Sequence, residues 1–134
     1  MYLFKQLQRV QNATASFVRK RYSKREDVIG LGWILMKERS DYSVAKLAWK
    51  SVNKPEWPKF LPMEKQVPLT RGTRSADNGT KIRCTNNLWS SFEYVGSKIF
   101  NDLPLAARNC VEYKSFCRIT KNYFLDKSLA RSLS

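Results

Sequence analysis

Residues 3–22 read LFKQLQRVQNATASFVRKRY, and the rest of the chain is best read outward from them. Leu3, Leu7, Val10, Thr14, Phe17 and Val18 recur at three- and four-residue spacing and draw one apolar stripe along a helix. Lys5, Arg9, Asn12, Ser16 and Lys20 fall on the far side. The stripe predicts packing against another element, and the opposite face predicts contact with water or phosphate. No Ser, Thr, Asp or Asn precedes the helix to cap it, so either its first turn frays or Met1 is not the natural start of the folded unit.

Charge is concentrated on this same stretch. The 134 residues carry a formal net charge of +14. Half of that excess comes from Lys5, Arg9, Arg19, Lys20, Arg21, Lys24 and Arg25, all of which precede the first carboxylate, Glu26. A solvated helix face normally mixes signs, because like charges one turn apart repel by a few tenths of a kcal/mol. A helix with only cations therefore points to a polyanionic partner, with an anionic membrane surface, an acidic protein and simple solubility as the alternatives. Arg71, Arg74, Lys81 and Arg83 form a second basic group further on, in a turn-rich segment.

Several reactions are excluded by composition. The chain has no histidine, so it offers no Ser-His-Asp or Cys-His nucleophile, no HExxH zinc site and no imidazole base. Cys84, Cys110 and Cys117 are irregularly spaced, contain no CxxC pair and read as reduced, mostly buried thiols. No cofactor is expected. The longest nearly apolar run, residues 28–36, contains two glycines and falls short of the roughly 20 residues a membrane span requires. The opening lacks the apolar core of a secretory signal, which predicts an intracellular protein, nuclear or cytoplasmic and not secreted.

Downstream, Ser23 and Glu26 have the spacing of a capping box for a short second helix. A third helix is expected over residues 35–52, with Leu35, Tyr42, Ala45, Trp49 and Val52 on one face and Lys37, Lys46 and Lys50 on its flanks. Pro55 closes it, and Pro58, Pro62 and Pro68 punctuate the stretch beyond. Asn78-Gly79 is a turn dipeptide, and residues 80–85 alternate as a short strand, with a partner around residues 68–74. Apolar periodicity returns through Phe92, Val95, Ile99 and Phe100. Asp102 with Pro104, and Asn109 with Glu112, look like helix starts, the second opening a helix over residues 110–125 with a frayed tail beyond Asp126. The aromatics fall mostly on apolar stripes and read as core, with Trp57 and Trp89 as candidates for base stacking. The fold class predicted is mainly α, a small multi-helix domain with room for one short β-hairpin around residues 68–85. It is a single domain or fragment, with a basic helical half (1–62), a turn-rich connector (63–87) and a C-terminal helical half (88–134).

Several phrases, taken in order, resemble a known family. Leu7-Gln8-Arg9-Val10-Gln11-Asn12 is similar to the "LQRVQN" that opens the region after the reverse-transcriptase palm in non-LTR, LINE-type retrotransposons of the Jockey-like kind. Trp33, Lys37-Glu38-Arg39 and Asp41-Tyr42 resemble that family's "HWLPVKERIDYK". Lys59-Phe60-Leu61 and Thr70-Arg71 with Arg74-Ser75 sit where it has "AP.YL" and "TRSS", and Ile99-Phe100-Asn101-Asp102-Leu103-Pro104 resembles "LWNSLP". Arg108 and Phe116 come next, as in its "IR…SFK". The departures include Phe100 for Trp and Gly32 for His.

The resemblance implies a thumb-proximal C-terminal region of an RNA-directed DNA polymerase, lacking the catalytic core. Two-metal polymerase chemistry needs adjacent aspartates, and this chain has no Asp-Asp pair. The expected function is therefore non-catalytic: binding the backbone of RNA or an RNA–DNA hybrid, beside the polymerase core of a parent protein. The candidate contacts are Lys5, Arg9, Arg19, Lys20, Arg21, Lys24 and Arg25, with Arg71, Arg74, Lys81 and Arg83 as the second group. One rival reading is a structural module whose first helix docks its stripe on a thumb or another protein; the other is a functionless element relic.

Overall fold

The computed structural model describes residues 2–22, 24–54, 64–65, 82–83 and 91–133. These form a mainly helical protein: α1 (Tyr2–Arg19), α2 (Arg25–Gly30), α3 (Met36–Asn53), α4 (Phe92–Asn101), α5 (Leu105–Arg108) and α6 (Tyr113–Ser132). Two short strands, β1 (Glu64–Lys65) and β2 (Ile82–Arg83), pair antiparallel, with Glu64 opposite Arg83 and Lys65 opposite Ile82. The chain divides into two compact units, Met1–Tyr42 with Lys121–Ser134, and Ser43–Thr120. The division cuts through α3 and α6.

In the first unit α1 does not pack on its apolar stripe. Its buried residues are Gln8, Gln11 and Ala15, one face of the helix turned away from Leu3, Val10 and Phe17. Ala15 joins Val28 and Leu35 in a fully buried cluster, with Ile29, Leu31 and Trp33 packed around it. The two glutamines meet backbone groups at the start of α3. Gln11 Nε2 donates to the Ile34 carbonyl at 2.8 Å, and Gln8 Oε1 accepts the Met36 N–H at 3.0 Å. Gln8 Nε2 in turn donates to Gln11 Oε1 at 2.8 Å and Asn12 Oδ1 at 2.9 Å.

The start of α3 is thus capped from a distance. Its first amides would otherwise be orphans, and no Ser, Thr, Asp or Asn lies just before Met36 to serve as a local cap. Gln8 takes one amide, and the fully buried Ser128 hydroxyl accepts the Leu35 N–H at 3.3 Å. Glu38, 2% exposed in the first turn of α3, pairs with Arg131 Nη2 at 2.8 Å. Tyr42 and Phe124 close the same side, their rings 6.1 Å apart.

These contacts correct the expectation of a frayed tail. α6 begins at Tyr113, later than expected, and continues to Ser132. Phe116, Thr120, Phe124 and Ser128 recur every four residues as its buried row, and two of the four are hydroxyl residues. The polar tail is helical because Ser128 and Arg131 are the groups that α3 needs.

The second unit is built on aromatic rings. Trp49 lies 5.6 Å from Phe116 and 5.4 Å from Tyr113, and Phe100 lies 6.3 Å from Phe116. Trp49 Nε1–H donates to the Cys110 carbonyl at 3.1 Å, which satisfies its polar edge inside the core. Buried Ile82 is held through its backbone: its N–H donates to Asn101 Oδ1 at 2.8 Å, and its carbonyl accepts from Asn101 Nδ2 at 3.0 Å. Asn101 thereby acts on β2 as a strand partner would. The strand expected over residues 80–85 is present at Ile82–Arg83, but its partner is Glu64–Lys65, ahead of the 68–74 stretch. The remainder of the expected hairpin lies outside the described residues. Ser91 caps α4 by accepting the Tyr94 N–H at 3.2 Å. Asp102 ends α4 instead of starting a helix, and Pro104 stands at the N-cap of the short α5.

Candidate nucleic-acid interface

α1 ends with its last carbonyls tied off by a reversal of the chain. Lys20 takes φ of +55°, its N–H donates to the Phe17 carbonyl at 3.3 Å, and Arg21 N–H donates to the Ser16 carbonyl at 3.2 Å. This pair of bonds is a Schellman closure, with lysine where glycine is usual. The turn carries the chain into α2, whose N-cap position is Lys24; Ser23, the expected cap, lies outside the described residues. The capping carboxylate belongs to Asp27 and not to Glu26: Asp27 Oδ2 accepts the Lys24 N–H at 2.9 Å.

Asp27 also engages two of the predicted phosphate contacts. Arg19 Nη1 lies 2.7 Å from Asp27 Oδ1, and Arg21 Nη2 lies 3.6 Å from it. The Lys24 N–H, aided by the charges of Arg19, Arg21 and Lys24, holds the Asp27 carboxyl below its ordinary value despite partial desolvation. Arg19 and Arg21 therefore face a carboxylate from the next helix as well as solvent. Asp41 titrates in the other direction. Half-buried on α3, it is pushed up by loss of solvation, and the cations Lys127 and Lys37 only partly offset this.

The remaining cations at this end divide into two sets. Arg9, Lys20 and Lys24 are exposed. Lys5 and Arg25 line a pocket of about 330 Å³, together with Phe4, Gln8, Lys37 and Arg131. That pocket draws one cation from each of α1, α2, α3 and α6. Arg131 is balanced by Glu38, whereas Lys5, Arg25 and Lys37 make no ion pair among the described residues. Three such cations and a neutralised guanidinium around one concavity favour an oxyanion that accepts several donors at once.

The fold thus brings together two residues singled out by sequence, Lys5 and Arg25, and adds two that sequence reasoning left aside. Lys37 reads as the flank of a helix, and Arg131 as part of a frayed tail. The available signal was the absence of Gly or Pro after Asp126, which allows α6 to run on. Of the second basic group, Arg71, Arg74 and Lys81 lie outside the described residues, and Arg83 is described only as β2 backbone. Trp57, Trp89 and Cys84 also lie outside them. Trp49 is core, and Cys110 and Cys117 are free thiols.

On the other flank of α1 the surface is apolar. Leu3, Val10 and Phe17 are 63%, 64% and 85% exposed. A groove of about 310 Å³ runs beside them, lined by Leu7, Val10, Gln11, Thr14, Trp33, Met36 and Arg39. Among the described residues no group of three or more His, Cys, Asp or Glu is arranged to hold a metal, and no helix is long and apolar enough to cross a membrane. No family model, curated protein or solved structure matches the chain.

Proposed function

We propose that the chain is a non-catalytic nucleic-acid-binding module that holds RNA or an RNA–DNA hybrid by its phosphate backbone. In this reading it serves as the post-palm C-terminal region of a retrotransposon-type RNA-directed DNA polymerase. The observation that carries the proposal is the pocket into which α1, α2, α3 and α6 each place a cation. A solvated basic surface has no reason to converge from four helices, because like charges brought together cost free energy until an anion offsets it. The net charge of +14 and the cation-only stretch before Glu26 act in the same sense, and the ordered phrases from Leu7 to Phe116 supply the polymerase context.

Binding of this kind is electrostatic and largely indifferent to sequence. Lys5, Arg9, Lys20, Lys24, Arg25 and Lys37 make no ion pair among the described residues. About six phosphate contacts should reduce affinity by roughly three decades between 50 and 200 mM salt. Fluorescence anisotropy with a labelled RNA–DNA hybrid measures this directly, and an affinity that stays flat over that range defeats the proposal. The polymerase context has its own check: the transcript upstream should encode an open frame carrying the paired aspartates.

A further inference from the structure

The outward stripe of α1 has no role in gripping phosphate. Leu3, Leu7, Val10, Thr14 and Phe17 succeed one another along the helix, so the stripe is about 20 Å long at 1.5 Å per residue. Single exposed apolar side chains need no explanation, but a contiguous strip bordered by a groove marks an interaction surface. The groove itself is concave, floored by Leu7, Val10, Trp33 and Met36, and its one charged lining residue is Arg39. α1 carries no carboxylate anywhere along its length.

Shape and sign together select the occupant. A bilayer surface satisfies the charge, but it is flat and leaves a concavity unfilled. A second copy of this chain brings the same excess of +14 against the same cations, so its approach is repelled. A helix with large apolar side chains at i, i+3, i+4 and i+7 inserts knobs into such a groove. Carboxylates on that helix's flanks would be drawn by the chain's net charge of +14. We propose that the outer stripe of α1 and the groove beside Trp33 and Met36 form a docking site for an acidic amphipathic helix of a partner protein. This surface is separate from the phosphate pocket, and either can fail without the other.

The test uses the full chain and a labelled synthetic peptide of about 16 residues, enough for four helical turns, with leucines at helical spacing and glutamates elsewhere. Anisotropy should report saturable binding. Val10→Asn combined with Phe17→Asn removes two exposed side chains and leaves the buried face intact; it should weaken binding at least about tenfold, or about 1.4 kcal/mol. Thr14→Trp, which fills the groove without deleting an apolar contact, should do the same and guards against a folding defect in the double variant. Lys5→Ala with Lys37→Ala removes two cations without touching the groove, so it should weaken the peptide less than the Val10 and Phe17 changes do. The proposal is overturned if the peptide does not bind, or if a lysine-for-glutamate version binds equally well. It is overturned equally if the Val10 and Phe17 changes are silent. Sedimentation showing a dimer that the double variant abolishes would assign the groove to a second copy. Phosphatidylserine vesicles that bind through Val10 and Phe17 while the peptide does not would assign it to a membrane.

Discussion

Gln8 Oε1 accepts the N–H of Met36 at 3.0 Å, so a side chain on the first helix caps the start of the third across 28 positions of sequence. Replacing Gln8 by leucine keeps the bulk but leaves that amide, and the partners of Gln8 Nε2, without their bonds. Gln8 is buried, so the loss should be about 1–3 kcal/mol. Thermal denaturation followed by circular dichroism should show a lower Tm for Gln8→Leu, whereas Gln6→Leu, at an exposed position of the same helix, should be close to neutral.

The two perturbed carboxylates should have opposite effects on stability. Asp27 lies below its ordinary value of 3.8 in the folded protein, so its ionised form contributes stability that is present above that value and is lost as pH falls through the folded pKa. Asp27→Asn should therefore have a lower Tm than the parent at pH 7, and the gap should close in strong acid. Asp41 lies above 3.8, so folding is penalised as pH rises through its raised pKa, and the penalty persists at neutrality. Asp41→Asn should melt higher than the parent at pH 7, with the advantage disappearing below the ordinary carboxylate range.

Lys20 adopts φ of +55° at the end of α1, a conformation that costs a side-chain-bearing residue about 1 kcal/mol relative to glycine. Lys20→Gly should raise Tm, because the Schellman closure needs only the backbone of this residue. The same change removes one exposed cation, so the slope of log affinity against log salt should become shallower by nearly 1. Greater stability and weaker salt dependence in a single variant would separate the charge of Lys20 from its place in the fold.

The first helix shows why sequence conveyed the class of the fold and not its packing. Periodicity located α1 and α3 to within three residues of their ends, because period is a local property. The choice of face is not local. The hydrophobic stripe of α1 is the most apolar surface available, yet the buried face is the one carrying Gln8, Gln11 and Ala15, because Ile34 and Met36 present backbone groups that need polar partners. The same reasoning covers α6, whose last turns look too polar to be held until Leu35 and Glu38 are seen to require Ser128 and Arg131. Of the cations that charge counting singled out, Lys5 and Arg25 line one pocket. The fold sets beside them Lys37 and Arg131, which are distant in sequence, and sets Arg19 and Arg21 against Asp27, which belongs to the following helix.

Those pairings rank the cations by what each can give a phosphate. Arg25 and Lys37 line the pocket and make no ion pair among the described residues, so Arg25→Ala and Lys37→Ala should each reduce the salt slope for an RNA–DNA hybrid by nearly 1 and weaken binding to all sequences alike. The charge of Arg19 is already offset by Asp27 at 2.7 Å, so Arg19→Ala should change the slope far less. Asp27→Asn should act in the opposite sense: by removing the carboxylate that offsets Arg19 it should steepen the slope by up to about 1 and tighten binding at low salt, although it lowers Tm at neutral pH. Anisotropy titrations at four or five salt concentrations for these four variants test the ranking. If Arg19→Ala proves as costly as Lys37→Ala, the pocket is not where the backbone is held.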